Sequence, residues 1–147
     1  SGLTFALAFH KNSYVGRTFI KPTQKERQSA VHLKLSVLSS VVKGKRLVLI
    51  DDSIVRGTTM ASLIRMLKDA GATEVHVRIS SPPFLFPCYY GTDVPSNDQL
   101  IASSHTAAEI CASIGADSLG YMKLEDLKQM TGDLPLCKAC FDSHYPV

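Results

Sequence analysis

Apolar positions recur at strand and helix periods in the middle of the chain and predict an α/β unit. Arg46–Ile50 is a short apolar run rich in branched residues, which is typical of a buried parallel strand. Met60–Ala70 repeats apolar residues at helical spacing and is followed by Gly71, which is suited to end a helix. Glu74–Ser80 alternates strictly and predicts a second strand. The order strand, helix, strand implies a parallel sheet with a right-handed crossover.

The segments on either side of this unit have weaker patterns. Leu3–Phe9 is apolar throughout and predicts a buried strand, with a single helical turn as the alternative. Gln24–Ser36 predicts a helix, and Thr23 with Glu26 fits a capping box at its start. Three prolines exclude regular structure from Ser81–Gly91. The remaining predicted elements are a capped short helix at Ser96–Gln99, a helix at Thr106–Ile114, a strand at Ser118–Met122, one or two amphipathic turns at Leu124–Met130, and an irregular tail.

The bulk properties fit one globular domain or a part of one. The chain has 147 residues, of which 45% are hydrophobic and 20% charged. A net charge of +3 without a long basic run gives no reason to expect nucleic acid, and no apolar stretch approaches the ~18 residues of a membrane span. The chain begins without Met or a signal peptide, so we expect it to be cut from a larger protein. Four cysteines without secretory features suggest a reducing, cytoplasmic compartment.

The turn from Asp51 to Thr59 carries the strongest candidate chemistry. It follows the first strand of the α/β unit, and ligands of open α/β sheets bind at the carboxyl ends of strands. The helix start that follows offers free N–H groups to an anion, and Gly57 permits close approach of the backbone. The carboxylates of Asp51 and Asp52 suit a metal ion or sugar hydroxyls instead. A phosphorylated sugar fits both halves; the alternative is an ordinary turn in which the acids only cap and solvate.

A basic segment precedes this turn. Lys11–Gln28 has no sustained period and contains Gly16 and Pro22, which predicts a loop of about 15 residues that acts as a lid or binding segment. It holds five cations against one acid, Glu26. The cations are Lys11, Arg17, Lys21, Lys25 and Arg27. Such a segment can bind pyrophosphate, with Arg17 forking onto phosphate oxygens, or it can be a solvated surface loop.

The cysteines suggest a metal site. Cys137 and Cys140 form a CxxC, which is compatible with zinc, an iron–sulfur cluster or redox chemistry. Its place in an irregular tail argues against a redox motif. Cys111 lies on an apolar helical face and is interpreted as core. Cys88 then remains with Cys137 and Cys140, which is one ligand short of a four-cysteine cluster; three free thiols are the alternative.

The stretch LVLIDDSIVRGTT resembles the phosphoribosyl pyrophosphate (PRPP) binding motif of type I phosphoribosyltransferases, in the version found in glutamine PRPP amidotransferases. The resemblance implies a type I phosphoribosyltransferase-like parallel sheet flanked by helices. It also implies that Asp51 and Asp52 hold the ribose hydroxyls and Mg²⁺. The residues implied to hold the 5′-phosphate are Ser53, Ile54, Val55, Arg56, Gly57, Thr58 and Thr59.

The basic segment KNSYVGRTFIKPTQKERQ resembles the flexible loop with which the same family covers PRPP. The resemblance implies that Arg17, supported by Lys11 or Lys21, neutralises the departing pyrophosphate. Apolar loop residues of the family help to wall an ammonia path, and the corresponding residues here are Tyr14, Val15, Phe19 and Ile20. Ser13 stands where the family often has Arg, so no ligand role is assigned to it.

The cysteine spacing resembles one branch of that family, which carries a [4Fe–4S] cluster. There a cysteine follows a PPxxxPC segment and a CxxC lies near the end. Cys88, Cys137 and Cys140 match these positions, so the fourth ligand is expected upstream of Ser1.

Taken together, the resemblance implies that residues 1–147 form the C-terminal portion of a phosphoribosyltransferase domain, incomplete at its N-terminus and without the glutaminase domain. The intact enzyme would form 5-phosphoribosylamine from PRPP and glutamine-derived ammonia with release of pyrophosphate, the first committed step of purine synthesis. It is expected to be cytoplasmic and homo-oligomeric, and the isolated chain inactive. The alternatives are a nucleobase salvage transferase and a non-catalytic PRPP-sensing module.

Overall fold

Strands and short helices alternate along the chain in a computed structural model that describes residues 2–11, 35–92, 94, 96–132 and 134–146. The strands are Phe9–Lys11 (β1), Leu35–Val37 (β2), Arg46–Asp51 (β3), Glu74–Ile79 (β4) and Ser118–Tyr121 (β5). The α-helices are Ser39–Val42 (α1), Thr58–Asp69 (α2), Ala107–Ile114 (α3), Leu127–Thr131 (α4) and Ala139–Asp142 (α5). Short 3₁₀ turns occupy Asn97–Gln99, Ile101–Ser103 and Leu124–Asp126.

The central sheet is parallel, in the order β3-β4-β5, as the succession of strands and helices predicts. Asp51 pairs in register with Ile79, and Ile79 pairs with Tyr121. The carboxyl ends of all three strands therefore lie at one edge of the sheet. β1 and β2 form a separate antiparallel pair.

One face of the central sheet builds the main core with α2 and α3. β4 turns Val75, Val77 and Ile79 inward, and all three are buried as the strict alternation predicts. α2 begins and ends close to its predicted bounds, and its buried residues are Met60, Leu63, Ile64 and Leu67. Full burial of each such side chain stabilises the fold by about 1.5–3 kcal/mol. Gly71 follows α2 with a left-handed φ of 98°, the conformation expected at this position.

β3 is less buried than its apolar sequence predicts. Leu47 and Leu49 are half-buried and pack against the main core. Val48 and Ile50 point to the other face and are 45% and 72% exposed. The prediction of a buried strand is wrong on this face because, within the described residues, β3 is an edge strand and nothing covers its outer side chains.

Two predicted elements near the N-terminus are also corrected. Leu3–Phe9 is not a buried strand: only Phe9 enters β1, and Leu3, Phe5 and Leu7 are between 69% and 85% exposed. Pairing to β2 begins at Phe9, so the preceding residues gain no ladder. The predicted helix Gln24–Ser36 is wrong at its end, since Leu35–Val37 is β2. Its other residues, with the Thr23–Glu26 capping box, lie outside the described residues.

The C-terminal third contains a capping box that was not predicted, while the one predicted at Ser96 is wrong. Thr106 and Glu109 form a complete capping box at the start of α3. Ser96 precedes a 3₁₀ turn and makes no cap hydrogen bond to its backbone. Ser81–Gly91 is irregular apart from an isolated bridge between Cys88 and Val94, as its prolines predict, whereas the tail is not wholly irregular because α5 lies within it. In the described part of the chain, no helix combines the length and apolar character needed to cross a membrane.

Candidate functional site

The acid pair lies at the carboxyl end of β3, where the topology places a ligand site. Asp51 is half-buried and Asp52 is exposed. The Asp52 N–H donates to Asp51 Oδ1 at 3.0 Å, and Ser53 Oγ donates to Asp52 Oδ1 at 2.9 Å. Burial raises the pKa of the Asp51 carboxyl above its usual range, the Asp52 N–H partly opposes this, and the neighbouring Asp52 charge adds to it. Two adjacent carboxylates with one destabilised charge attract a cation or a hydroxyl donor.

The helix start beyond the acids is open to an anion. Gly57 is the N-cap of α2 with a left-handed φ of 77°, and no side chain caps the first turn. That turn also contains no acidic residue. The first turn of α2, which begins with Thr58 and Thr59, therefore offers N–H groups without a side-chain cap and the positive end of the helix dipole. The helix has 12 residues, long enough for the dipole to be developed.

Ile54 and Val55 fix the loop between two apolar clusters. Ile54 is 3% exposed and belongs to the main core. Val55 packs against the second cluster, which consists of Phe84, Val94 and Leu100. Both side chains are used for packing, so only the backbone of these two residues is available to a ligand. The loop is held on both sides before its helix begins.

The loop is also supported by a later segment, which the sequence did not suggest as functional. We call Ser96–Ile101 the backing segment. Ile101 N donates to Val55 O at 2.9 Å, and the guanidinium of Arg56 donates to Gln99 Oε1. A Cβ on Gly57 would lie 3.2 Å from Ile101 Cδ1. Three successive loop residues therefore touch one segment more than 40 residues later, a contact that depends on tertiary structure and leaves no local sequence signal.

The predicted lid cannot be compared with this geometry. Lys11 is exposed on β1, paired in register with Leu35. Arg17 and Lys21 lie outside the described residues, as do Tyr14, Val15, Phe19 and Ile20. Their assignments therefore stay predictions.

The Pro-rich segment and the tail pack together and bring the cysteines into one region. Leu85 N and Phe86 N both donate to Cys140 O, at 2.9 and 3.1 Å. Phe84 and Phe141 stack with ring centroids 5.1 Å apart. Tyr145 Oη donates to Pro87 O at 2.7 Å. These contacts join residues far apart in sequence, so Cys88 lies in the same region as the CxxC.

The three thiols differ in their electrostatics. Backbone N–H groups lower the pKa of the Cys88 thiol to about 7, with Gly91 the strongest donor and Tyr90 and Thr92 next. The N–H groups of Gly91 and Thr92 both lie 3.4 Å from Cys88 Sγ. Burial raises the pKa of the Cys140 thiol to about 11, and the nearby Cys88 and Cys137 add to the rise. All four cysteines are free.

Residues 1–80 match the phosphoribosyl transferase domain family, which is more than half of the chain. The chain belongs to that family. The βα turn with the acid pair lies inside the matched residues.

Similar proteins extend the likeness to the whole chain. An amidophosphoribosyltransferase from Synechocystis is 51% identical over 149 residues, covering 100% of this chain and 30% of the relative. One from Bacillus subtilis is 49% identical over 152 residues. The solved structure of the B. subtilis glutamine PRPP amidotransferase with ADP and GMP matches with a TM-score of 0.80 at 51% identity, covering 96% of this chain and 32% of that one. This phosphoribosyl transferase chain thus spans about a third of the length of the curated relatives it matches.

The donors present suit the metals that the resemblance implies, in different degrees. Mg²⁺ in proteins is commonly held by one or two carboxylates together with substrate phosphates, so Asp51 and Asp52 suffice in number and type. Cys88 carries backbone N–H···S contacts that stabilise a thiolate, which is the form that binds iron. Among the described residues, no group of three or more His, Cys, Asp or Glu side chains is placed so that it could hold a metal ion. Cys88, Cys137 and Cys140 therefore lie in one region without forming a ligand set, and their assignment to a cluster stays a prediction.

Proposed function

We propose that this chain is the PRPP-binding, C-terminal portion of the phosphoribosyltransferase domain of an amidophosphoribosyltransferase. The observation that carries the proposal is the juxtaposition, within Asp51–Thr59, of two carboxylates at a strand end and an uncapped helix start. The names of relatives about 50% identical over the whole chain support it. The reaction is the transfer of ammonia to C1 of PRPP with release of pyrophosphate.

In this proposal the loop divides PRPP between two chemistries. The N–H groups from Ser53 to Thr59 and the hydroxyls of Thr58 and Thr59 bind the 5′-phosphate, stabilised by the α2 dipole. Asp51 and Asp52 accept hydrogen bonds from the ribose hydroxyls. This arrangement fixes the ring so that C1 faces the incoming ammonia.

Mg²⁺ belongs to the same proposal, with Asp51 and Asp52 as its protein ligands, directly or through water. When bound, it neutralises charge on the substrate's pyrophosphate. Burial and the charge of Asp52 raise the pKa of the Asp51 carboxyl, so a bound cation would stabilise the ionised form of the pair.

The lid assignments complete the proposed site. Arg17, with Lys11 or Lys21, neutralises charge on the leaving pyrophosphate as the C1–O bond breaks. Closure of the segment excludes water that would otherwise hydrolyse PRPP. Tyr14, Val15, Phe19 and Ile20 line the path of ammonia from a glutaminase domain of the same protein. Neutral ammonia requires no general base to attack.

We further propose that Cys88, Cys137 and Cys140 supply three ligands of a [4Fe–4S] cluster in the intact enzyme. When bound, the cluster links the Pro-rich segment to the tail and has a structural role. The support is the spacing, the packing of both segments and the N–H donors around Cys88 Sγ. The intact enzyme is proposed to be cytoplasmic, in line with four free cysteines, and homo-oligomeric.

The decisive test replaces both acids in the full-length protein. Asp51→Asn with Asp52→Asn should lower ammonia-dependent pyrophosphate release at least about 100-fold, because the site loses both charges. Asp69→Asn, at the exposed end of α2, is the matched control and should leave the rate unchanged. Normal turnover in the double variant would exclude the assignment of the acid pair. Using ammonia separates transfer from glutaminase activity and also distinguishes this enzyme from a salvage transferase or a PRPP sensor.

A further inference from the structure

We propose that Gln99 is a positioning residue for the phosphate-binding loop and acts through Arg56, whose side chain braces the loop against the backing segment. The inference rests on the proposed function for the identity of the phosphate, but its geometric basis is independent of that identity.

The side chain of Arg56 points to the backing segment. Its guanidinium donates to Gln99 Oε1, on the backing segment. Arginine has only donors, so the amide must present its oxygen to Arg56 and its nitrogen elsewhere. That nitrogen, Nε2, donates a hydrogen bond to Ser96 Oγ at 3.4 Å. The amide is therefore oriented at both ends, and Arg56 is engaged before any ligand arrives.

The residues on either side of Arg56 also contact the backing segment. Val55 O accepts from Ile101 N at 2.9 Å, and Gly57 lies so near Ile101 that an added Cβ would be 3.2 Å from Ile101 Cδ1. The Arg56–Gln99 hydrogen bond lies between these two contacts. Leu100 is 2% exposed and anchors the backing segment in the second apolar cluster. The brace therefore connects the loop to a fixed part of the fold rather than to a mobile side chain.

The restraint on the loop affects how well its backbone binds phosphate. Backbone N–H groups recognise phosphate only when they converge, and small displacements of such groups are costly to affinity. The loop lacks any side-chain cap at the start of α2 that could hold it from within. The backing segment supplies that restraint from outside. Loss of the brace should thus weaken phosphate binding without altering the reacting atoms.

The experiment compares Gln99→Ala and Gln99→Glu with Gln129→Ala in the full-length enzyme. Gln129 is exposed on α4 and provides the same side-chain truncation away from the loop. With saturating ammonia, Gln99→Ala should raise the KM for PRPP about five-fold, with kcat changed less than about two-fold, since a partly exposed charge-assisted hydrogen bond is lost. Gln99→Glu still accepts from Arg56 and should keep the KM within about two-fold of the unsubstituted enzyme. Gln129→Ala should match that enzyme in both constants.

A second readout does not depend on activity. Amide hydrogen exchange of residues 53–59, measured without ligand, should be about five-fold faster in Gln99→Ala and unchanged in Gln99→Glu and Gln129→Ala. Unchanged exchange and KM in Gln99→Ala would overturn the inference, as would equal damage by Ala and Glu, which indicates packing alone. If the unsubstituted enzyme releases no pyrophosphate, the proposed function fails, and the exchange data still decide whether Gln99 positions the loop.

Discussion

The loop Asp51–Thr59 and the cysteine region differ in how the chain assembles them. The loop takes its carboxylates, glycine and hydroxyls from consecutive residues, and two apolar clusters fix it in place. The cysteine region consists of the Pro-rich segment Ser81–Gly91 and the C-terminal tail with Cys137 and Cys140. A few backbone hydrogen bonds and aromatic contacts join these two segments. The loop is thus fixed within the fold, while the cysteines among the described residues are not placed as a group that could hold a metal ion.

This difference separates two kinds of dependence. The shape of the loop depends on the protein alone, because each of its restraints is a contact within the fold. The cysteine region has thiols of unequal acidity, with a pKa of about 7 at Cys88 and about 11 at Cys140. In the proposed cluster, iron would have to displace a proton from the less acidic thiol, so binding of the cluster would be coupled to the local structure. Substitutions in the two regions should therefore give distinct readouts.

The largest expected effect concerns the cysteine region. Cys88→Ser in the full-length enzyme should abolish cluster binding, because a three-ligand remnant holds a [4Fe–4S] cluster poorly. Anaerobic iron and sulfide analysis provides the measurement. Cys111→Ser is the control: that thiol donates to Ala116 O within the α3–β5 connection and should leave the iron content unchanged. Full iron content in Cys88→Ser would contradict the cluster assignment.

Gly57→Ala tests how rigid the loop is. The substitution requires alanine to adopt the left-handed backbone conformation of Gly57. Its Cβ would lie 3.2 Å from Ile101 and 3.4 Å from Ile114. We expect a loss of about 1–3 kcal/mol in the free energy of unfolding, together with roughly ten-fold weaker PRPP binding. Urea unfolding and equilibrium binding measure the two. Gly91→Ala, in the cysteine region, meets open space and should cost little; equal costs at both sites would remove the contrast in rigidity.

Thr106→Ala removes the N-terminal cap of α3. This helix contacts the loop through Ile114, which lies against Gly57. Thr106 Oγ1 accepts from Glu109 N at 3.3 Å, and removal of this cap should cost about 1 kcal/mol. Thermal unfolding detects the change, and Thr106→Ser should restore most of it. A cost of the same size in the Ser variant would show that the methyl group, not the cap, matters.

The smallest effect is a pH dependence at the same cap. The Thr106 N–H and then its hydroxyl lower the pKa of the Glu109 carboxyl below its usual value of 4.5. The folded state therefore binds fewer protons, so this contribution is full above pH 4.5 and is lost as pH falls through the lower folded value. Glu109→Gln should flatten the acid side of the stability curve slightly. An unchanged pH slope in urea unfolding would show that the carboxylate is not stabilised in the folded state.

The sequence predicts those parts of the fold whose signals are local. The strict alternation in β4, the helical period of α2 and the helix that follows Thr106 depend on neighbouring residues, and all were confirmed. The exposure of Val48 and Ile50 was missed because burial depends on what packs against that face of the sheet. Leu35 and Ser36 were expected to end a helix because the apolar residues before them fit a helix, but pairing of Leu35–Val37 with β1 prevails. Gln99 could not be found for the same reason, since its partner Arg56 is distant in sequence.

The exposed outer side chains of β3 have a practical consequence for biochemical work. Among the described residues, one long side of this strand has no neighbour, and its outer face presents Val48 and Ile50 to solvent. Unpaired N–H and C=O groups beside apolar side chains template the addition of another strand. A preparation of the 147-residue chain should therefore self-associate as its concentration rises, through edge-to-edge pairing at β3. Light scattering against concentration, repeated with Ile50→Lys, measures that tendency directly.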